Sequence, residues 1–494
     1  MDARAWESRV PAQRAAMQLS PETIHERIEA SPYGPKSRAL LRRSADYEST
    51  GGVGWALFDC PPAIVEGKGA LVYDADGFEY LDCMAGMSVS NLGHGRQEIA
   101  EAIAAQQMRL AHYFDMPGEP REELAERLVQ ITPGDHRKRV AFAATGSDAT
   151  DVAIRMARWY TGAPLIITTY GGYHGATAGT VATTAKGFLW AYHYPIGPHD
   201  AGHFKIPFPY TYRPPLGDDG SSGKPYVDYL RRMLTGKESP LGDRASGVNN
   251  VAAILLEPMQ ASAGYIIPPD DYLPLLRELC DEYGILLIAD EIQCGMGRSG
   301  AMWACDRVGV VPDILLTSKA LANGQPVAAV VASSEIASSW GAAAHISTFA
   351  CTPVAAAAAN AVLDIMAREE IPKQAAQKGD YFRARLEELM ERHEMIGDFD
   401  LAGLFIGIEF VRDRESREPA DTETATMLEF CVREGLLFEK GGYHHNRFQL
   451  IPPLTIEPNQ IDAVIDVIDR ALMYVESGGD KSGLPDQRRS VSVG

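Results

Sequence analysis

The sequence contains no Cys-x-x-Cys pair. Its seven cysteines (Cys60, Cys83, Cys280, Cys294, Cys305, Cys351 and Cys431) are odd in number and scattered. That pattern argues against a zinc ribbon or a disulfide framework and points to a reducing compartment, with a cytoplasmic location as the expectation. No run of about 18 apolar residues occurs, so no membrane span is expected. The stretch "MDARAWESRVPAQRAAMQ" lacks the apolar segment of a secretory leader. No HExxH motif occurs, and His199, His203, His444 and His445 have no carboxylate-rich surroundings, so no metal site is expected. Basic charge is also scarce. With 46 Lys and Arg against 66 Asp and Glu, the formal charge is −20, which argues against nucleic acid or an anionic membrane as partner. There is no internal repeat and no low-complexity tract.

What is present is a long chain with ample apolar content. Its 494 residues, 46% of them hydrophobic, call for two or three domains. Short apolar runs ("RVAFAA", "PLIITTY", "VAAILLEP", "ILLIADE", "DILLTS", "VAAVVAS") alternate with helix-period segments such as "SDATDVAIRMARWYTG" and "YLPLLRELCDEYG". That order predicts an α/β fold with a mostly parallel central sheet. The expected organisation is a polar, helix-prone arm over residues 1–45 and a large α/β domain over 93–351. A smaller α+β domain is expected from 46–92 and 352–476, followed by a disordered tail over 477–494.

In open α/β sheets, ligands gather where strands end. "AATGS" ends one strand at Gly146 and Ser147 and opens a helix at Asp148, a place for an anion or simply an N-cap. "LLIADE" delivers Asp290 and Glu291 to a strand tip, suited to a cation or a ring nitrogen, or else to a helix cap or a buried ion pair. Lys319 is the one charged residue between Asp313 and Glu335. It is either a snorkelling surface lysine or an amine whose pKa is lowered by apolar surroundings. "YGGYHGAT" sets Tyr173, His174 and Gly175 just after another strand, where a flat ring could cover a ligand or fill the core. Together these features ask for a ligand with a phosphate, a stacked ring, a basic ring nitrogen and an aldehyde. Pyridoxal 5'-phosphate has all four.

At "LCDEYGILLIADEIQCGMGRSG" and "PDILLTSKAL" the sequence resembles the class III aminotransferases, pyridoxal-phosphate enzymes of the aspartate-aminotransferase fold. "TGSDATDVAIRMARWYTG", "YHGAT", "PFPYTYR", "ILLEPMQ" and "STFACTPVAAAAANAVLDIM" extend the resemblance over roughly residues 60–475. It implies that Lys319 forms a Schiff base with the cofactor and then shuttles the substrate proton, while Asp290 pairs with the ring nitrogen. Gln293 would bond the ring hydroxyl, Tyr173 would stack on the ring beside His174, and Glu257 would lie near it. Gly146 and Ser147 would hold the phosphate, with Thr348 reaching the partner subunit's phosphate, which implies a homodimer with shared active sites. Trp55, Phe58, Tyr113 and Phe114 fall in segments that line the substrate pocket in relatives, with packing at the dimer interface as the alternative.

Two departures bear on substrate. Many members carry an arginine three residues before the "PP" of the C-terminal domain, to clamp a substrate carboxylate. Here that position is Gln449, and Arg447 stands two residues earlier, about 7 Å further along a strand. The glutamate that pairs with this arginine in 4-aminobutyrate-type enzymes is replaced by Ser262. A glutamine cannot grip a carboxylate with the two-pronged geometry of arginine. The expectation is an amine substrate without an α-carboxylate: a primary amine, a polyamine or an amino sugar. The alternatives are a conventional ω-amino acid:2-oxo acid aminotransferase using Arg447 or Arg213, or an epimerase, decarboxylase or lyase of the same family. Asn323 and Gln325, in "SKALANGQP", would either read substrate hydroxyls or shape the loop.

Overall fold

A computed structural model describes residues 19–49, 52, 54–185, 202–236, 239–243, 248–484 and 487–491. Its centre is a seven-stranded sheet. In spatial order the strands are Lys138–Ala143, Ala328–Ser333, Ile314–Thr317, Leu286–Asp290, Val251–Leu256, Leu165–Thr169 and His203–Ile206. Ala328–Ser333 runs antiparallel to both neighbours, and every other pairing is parallel. Six of these strands are the apolar runs singled out in the sequence. The seventh, His203–Ile206, escaped notice because its four residues include a histidine and a lysine, which leave no apolar run.

The sheet is covered on both faces, as its unbroken apolar strands require. Ile254, Leu256, Leu287 and Ala289 pack against the helices Lys224–Thr235 and Tyr272–Tyr283. Ala253, Leu255, Leu286 and Ile288 pack against the helix Gly146–Thr161. That helix presents Ala149, Val152, Ala153, Met156 and Ala157 as one buried stripe at helical spacing. Thr145 caps its start by accepting from the Asp148 N–H at 3.2 Å, and Gly162 ends it in the left-handed region at φ 70°. The helix therefore begins at Gly146, two residues earlier than the sequence suggested, because the threonine and not the aspartate is the cap.

Two further sheets complete the fold. Ile64–Lys68, Leu71–Asp74 and Glu79–Asp82 form a meander that Leu436–Leu437 joins in parallel. Ile396–Ala402, Phe405–Asp413, Arg447–Leu450 and Glu439–Gly441 form an antiparallel sheet. The long helices Pro353–Arg368, Ile371–Arg392 and Pro458–Glu476 contribute to one core with both. Residues 1–18 of the expected N-terminal arm lie outside the described residues. The rest of the arm is two helices, Pro21–Ala30 and Pro35–Tyr47, whose Ile24, Ile28 and Leu41 close over Tyr33 and Trp55.

Of the expected tail over 477–494, residues 477–484 and 487–491 are described. Arg488 pairs with the buried Asp74 at 2.5 Å and lies over the Phe78 ring, and the Arg489 N–H donates to the Arg433 carbonyl. A guanidinium that satisfies a buried carboxylate can order a stretch whose composition alone looks loose. Among the described residues, no helix is long and apolar enough to cross a membrane, and no group of three or more His, Cys, Asp or Glu could hold a metal ion. His199 lies outside the described residues.

Candidate active site

Three adjacent parallel strands end on chemistry. Val251–Leu256 runs into Glu257, Leu286–Asp290 ends on Asp290, and Ile314–Thr317 leads through Ser318 to Lys319. Every residue in these strands is buried, so the first functional groups appear where the sheet edge opens. The Tyr173 turn and the start of the Gly146–Thr161 helix reach the same edge, and together they enclose a cleft of about 190 Å³.

Asp290 and Glu291 part company at the strand tip. Asp290 lines the cleft, and its Oδ2 lies 2.7 Å from His174 Nδ1 while its Oδ1 accepts from the Ile292 N–H at 3.2 Å. Glu291 turns into the protein and accepts from the N–H groups of Ala304 and Cys305 at 2.9 and 2.8 Å. It is a structural cap. Glu257 accepts from the Tyr173 and Ala261 N–H groups, each at 2.9 Å. Its burial pushes the carboxyl up to about 7, helped by the negative Asp290 and opposed by His174 and the two N–H groups.

Lys319 itself lies in the left-handed region at φ 42°, strained for a residue with a side chain. Its Nζ donates to Gln293 Oε1 at 2.7 Å. Burial lowers the pKa of the amine below the usual lysine range, while Glu257, Asp290 and Glu439 pull it upward. Tyr173 forms one wall of the cleft, and its phenol is raised, first by burial. At the helix start, the N–H groups of Gly146 and Ser147 have no intrahelical acceptor. Small residues make this corner approachable. A Cβ on Gly146 would meet Ile292 Cδ1 at 3.0 Å, and one on Gly175 would lie 2.6 Å from Ser147 Oγ.

The family described as Aminotransferase class-III matches residues 59–472 of this chain. The chain belongs to the class III aminotransferases. It is 36% identical to the leucine/methionine racemase of Thermococcus litoralis, over 85% of this chain and 93% of that one. It is 34% identical to the acetylornithine aminotransferase of Methanothermobacter thermautotrophicus, over 83% of this chain and 94% of that one. Among solved structures, an amine transaminase from an uncultivated Pseudomonas species, with pyridoxal phosphate bound, superposes with a TM-score of 0.77 at 32% identity. It covers 86% of this chain and 97% of its own.

A class III aminotransferase uses pyridoxal phosphate, and the cleft fits it. A helix start without side-chain bulk suits the phosphate, a buried carboxylate faces inward, and one amine stands among apolar strands. The cleft gathers Gly146, Ser147, Tyr173, His174, Glu257, Asp290, Gln293 and Lys319. It also contains Thr145, Gly175 and Ile292, which the sequence reading left out as site residues. The threonine cap before a glycine was a usable signal for the first, and the glycine of "YHGAT" for the second. Nothing in the sequence flagged Ile292.

The other candidates are placed elsewhere. Arg447 is fully buried, donating to Asp400 at 2.7 Å, Glu409 at 3.0 Å and the Tyr210 hydroxyl at 3.1 Å. Two carboxylates already claim its guanidinium. Arg213 also pairs with Glu409, at 2.5 Å. Gln449 donates to the Ala261 carbonyl at 2.8 Å, and Ser262 is half-buried in the turn that follows. Trp55 belongs to the arm's own core instead of the cleft. Asn323 shapes the loop, accepting from the Leu92 N–H at 3.0 Å and donating to the Gly93 carbonyl at 3.1 Å. Phe114, Tyr113 and Thr348 are exposed and are not among the residues that line the cleft.

Proposed function

We propose that the enzyme moves an amino group between a carbonyl acceptor and an amine that lacks an α-carboxylate, with an amino sugar or polyamine as the favoured class. The observation that carries this is the charge of the cleft. Among the described residues lining it, Lys319 is the only lysine or arginine. The two candidate carboxylate clamps, Arg447 and Arg213, are engaged by carboxylates. Bringing a substrate carboxylate beside Glu257 and Asp290 without a cation would leave it uncompensated.

Pyridoxal phosphate, when bound, supplies an aldehyde that condenses with amines and a ring that accepts an electron pair. The chain's own groups do the rest. Asp290, oriented by His174, holds a proton at the ring nitrogen. Lys319 Nζ takes the proton from the amine-bearing carbon and returns it. Its lowered pKa keeps a neutral fraction available for that work. Gly146 and Ser147 hold the phosphate, and Tyr173 covers the ring and limits water. The enzyme acts as a homodimer in which the partner's Thr348 completes each phosphate site, a reading supported by the exposure of Thr348 between Ile346 and Phe349. A cytoplasmic location is supported by seven unpaired cysteines.

A second reading, epimerisation at the amine-bearing carbon, is favoured by the named activity of the Thermococcus relative. The test is single-turnover absorbance of the cofactor-loaded enzyme with a panel of amines. Rapid spectral conversion by amino sugars or polyamines, with slow response to 4-aminobutyrate and ornithine, is the expected outcome. The reverse preference would discard the reading in favour of a conventional ω-amino acid enzyme. Deuterium uptake at the substrate carbon with no carbonyl product would replace it with epimerisation.

A further inference from the structure

The cleft's lysine is the first member of a hydrogen-bonded series that runs away from the site. Lys319 Nζ donates to Gln293 Oε1 at 2.7 Å, Gln293 Nε2 donates to the Tyr265 hydroxyl at 3.1 Å, and that hydroxyl donates to Glu439 Oε1 at 3.4 Å. All three donors point the same way. Tyr265 is fully buried and Glu439 nearly so. We propose that Tyr265 and Glu439 are positioning residues for the enzyme's amine chemistry, fixing the Gln293 amide so that its oxygen faces Lys319.

A phenol has one proton to give. With Glu439 accepting it, the Tyr265 oxygen is left as an acceptor and the Gln293 NH2 turns to it. The amide oxygen is thereby committed to the lysine. With the amide reversed, an NH2 would face an ammonium and an oxygen would face a hydroxyl whose proton is already placed. A buried carboxylate thus sets the orientation of an amide two side chains away. The geometry of Tyr265 is consistent with a held position. Its backbone is at φ 59°, and its ring packs on Phe405 with centroids 4.3 Å apart. Burial raises its phenol well above the usual range, so it keeps its proton. Strand register places Glu439 opposite Gln449, so the carboxylate and the glutamine that stands where relatives have arginine are cross-strand neighbours. The titratable groups that bear on Lys319 are Glu257, Asp290, Glu439 and Cys294, and those on Tyr265 are Glu439 and Arg298.

The inference rests on the cofactor site and not on the substrate reading. Tyr265→Phe removes the hydroxyl and keeps the ring, and Glu439→Gln keeps the shape and removes the charge. Each full-length variant is stripped of cofactor, and the pH dependence of Lys319 acylation by acetic anhydride is followed by peptide mass. Losing a fixed acceptor disfavours the ammonium, so the Tyr265→Phe midpoint should fall by about one pH unit, giving about tenfold more neutral amine at a given pH below it. Glu439→Gln should move it in the same direction by less. In the loaded enzyme, the pH at which the cofactor absorbance changes should shift for both variants. Wild-type midpoints in both measurements, with or without a lowered melting temperature, would overturn the proposal and leave the pair a packing role. Normal cofactor loading of the wild type separates that failure from failure of the site assignment.

Discussion

Arg447 shows how a residue's partners decide its role. One strand period from the position where relatives clamp carboxylates, it is instead clamped by Asp400 and Glu409. Removing it leaves two buried carboxylates with half their compensation. Arg447→Met should therefore cost about 3–5 kcal/mol in urea unfolding, while the preference among amine substrates of whatever folded enzyme remains stays unchanged. Glu257 makes a different prediction. Its carboxyl is raised from 4.5 to about 7 by burial, so between those values the folded protein holds a proton that the unfolded chain has lost. Stability from this group is highest below pH 4.5 and falls as pH rises to 7. Comparing wild type with Glu257→Gln by unfolding across that window should show the decline flattened, by at most about 3 kcal/mol.

At the scale of elements, the site exists because one sheet edge collects the ends of several strands. The helix Gly146–Thr161 and the turn through Gly175 must approach closely for its anion corner to form. Gly175 is at φ 130°, and a Cβ there would collide with Ser147 Oγ and Thr180 Oγ1. Gly175→Ala should weaken cofactor binding by roughly tenfold or more through this displacement. Spectroscopic titration of the stripped enzyme with pyridoxal phosphate measures it. Inorganic phosphate should lose its ability to compete in the same variant.

For the whole molecule, the exposed apolar side chains Met108, Tyr113, Ile346 and Phe349 flank or adjoin the segments expected to meet a second copy. If sites are shared, two defective chains can complement each other. Lys319→Ala abolishes turnover in one chain, and Thr348→Asp repels phosphate in the partner's site. Co-refolded at equal amounts, they should recover about a quarter of wild-type activity, since half the dimers are mixed and each carries one intact site. No recovery, with dimers present by sedimentation, would mean that each site is complete within one chain.

Much of this was legible in the residues themselves. Apolar runs ending in Asp290 and Lys319 carry their meaning locally: burial of the run forces the first charged group to the sheet edge. Glycine-rich turns and the lone lysine are likewise local facts, so the fold and the residues that gather at the cleft could be read from them. The capping threonine at 145 and the short strand His203–Ile206 were missed because their signals are only a residue or four long.

What the tertiary structure alone decided is which polar group faces which. Asp290 and Glu291 are adjacent in sequence, yet one lines the cleft and the other caps residues 304–305. Arg447 could have served substrate or core, and carboxylates brought in from Asp400 and Glu409 settled it. The line from Lys319 through Gln293 and Tyr265 to Glu439 joins four separate segments. Hydrogen bonds and ion pairs depend on distances between remote parts of the chain, and periodicity along one segment carries no information about those distances.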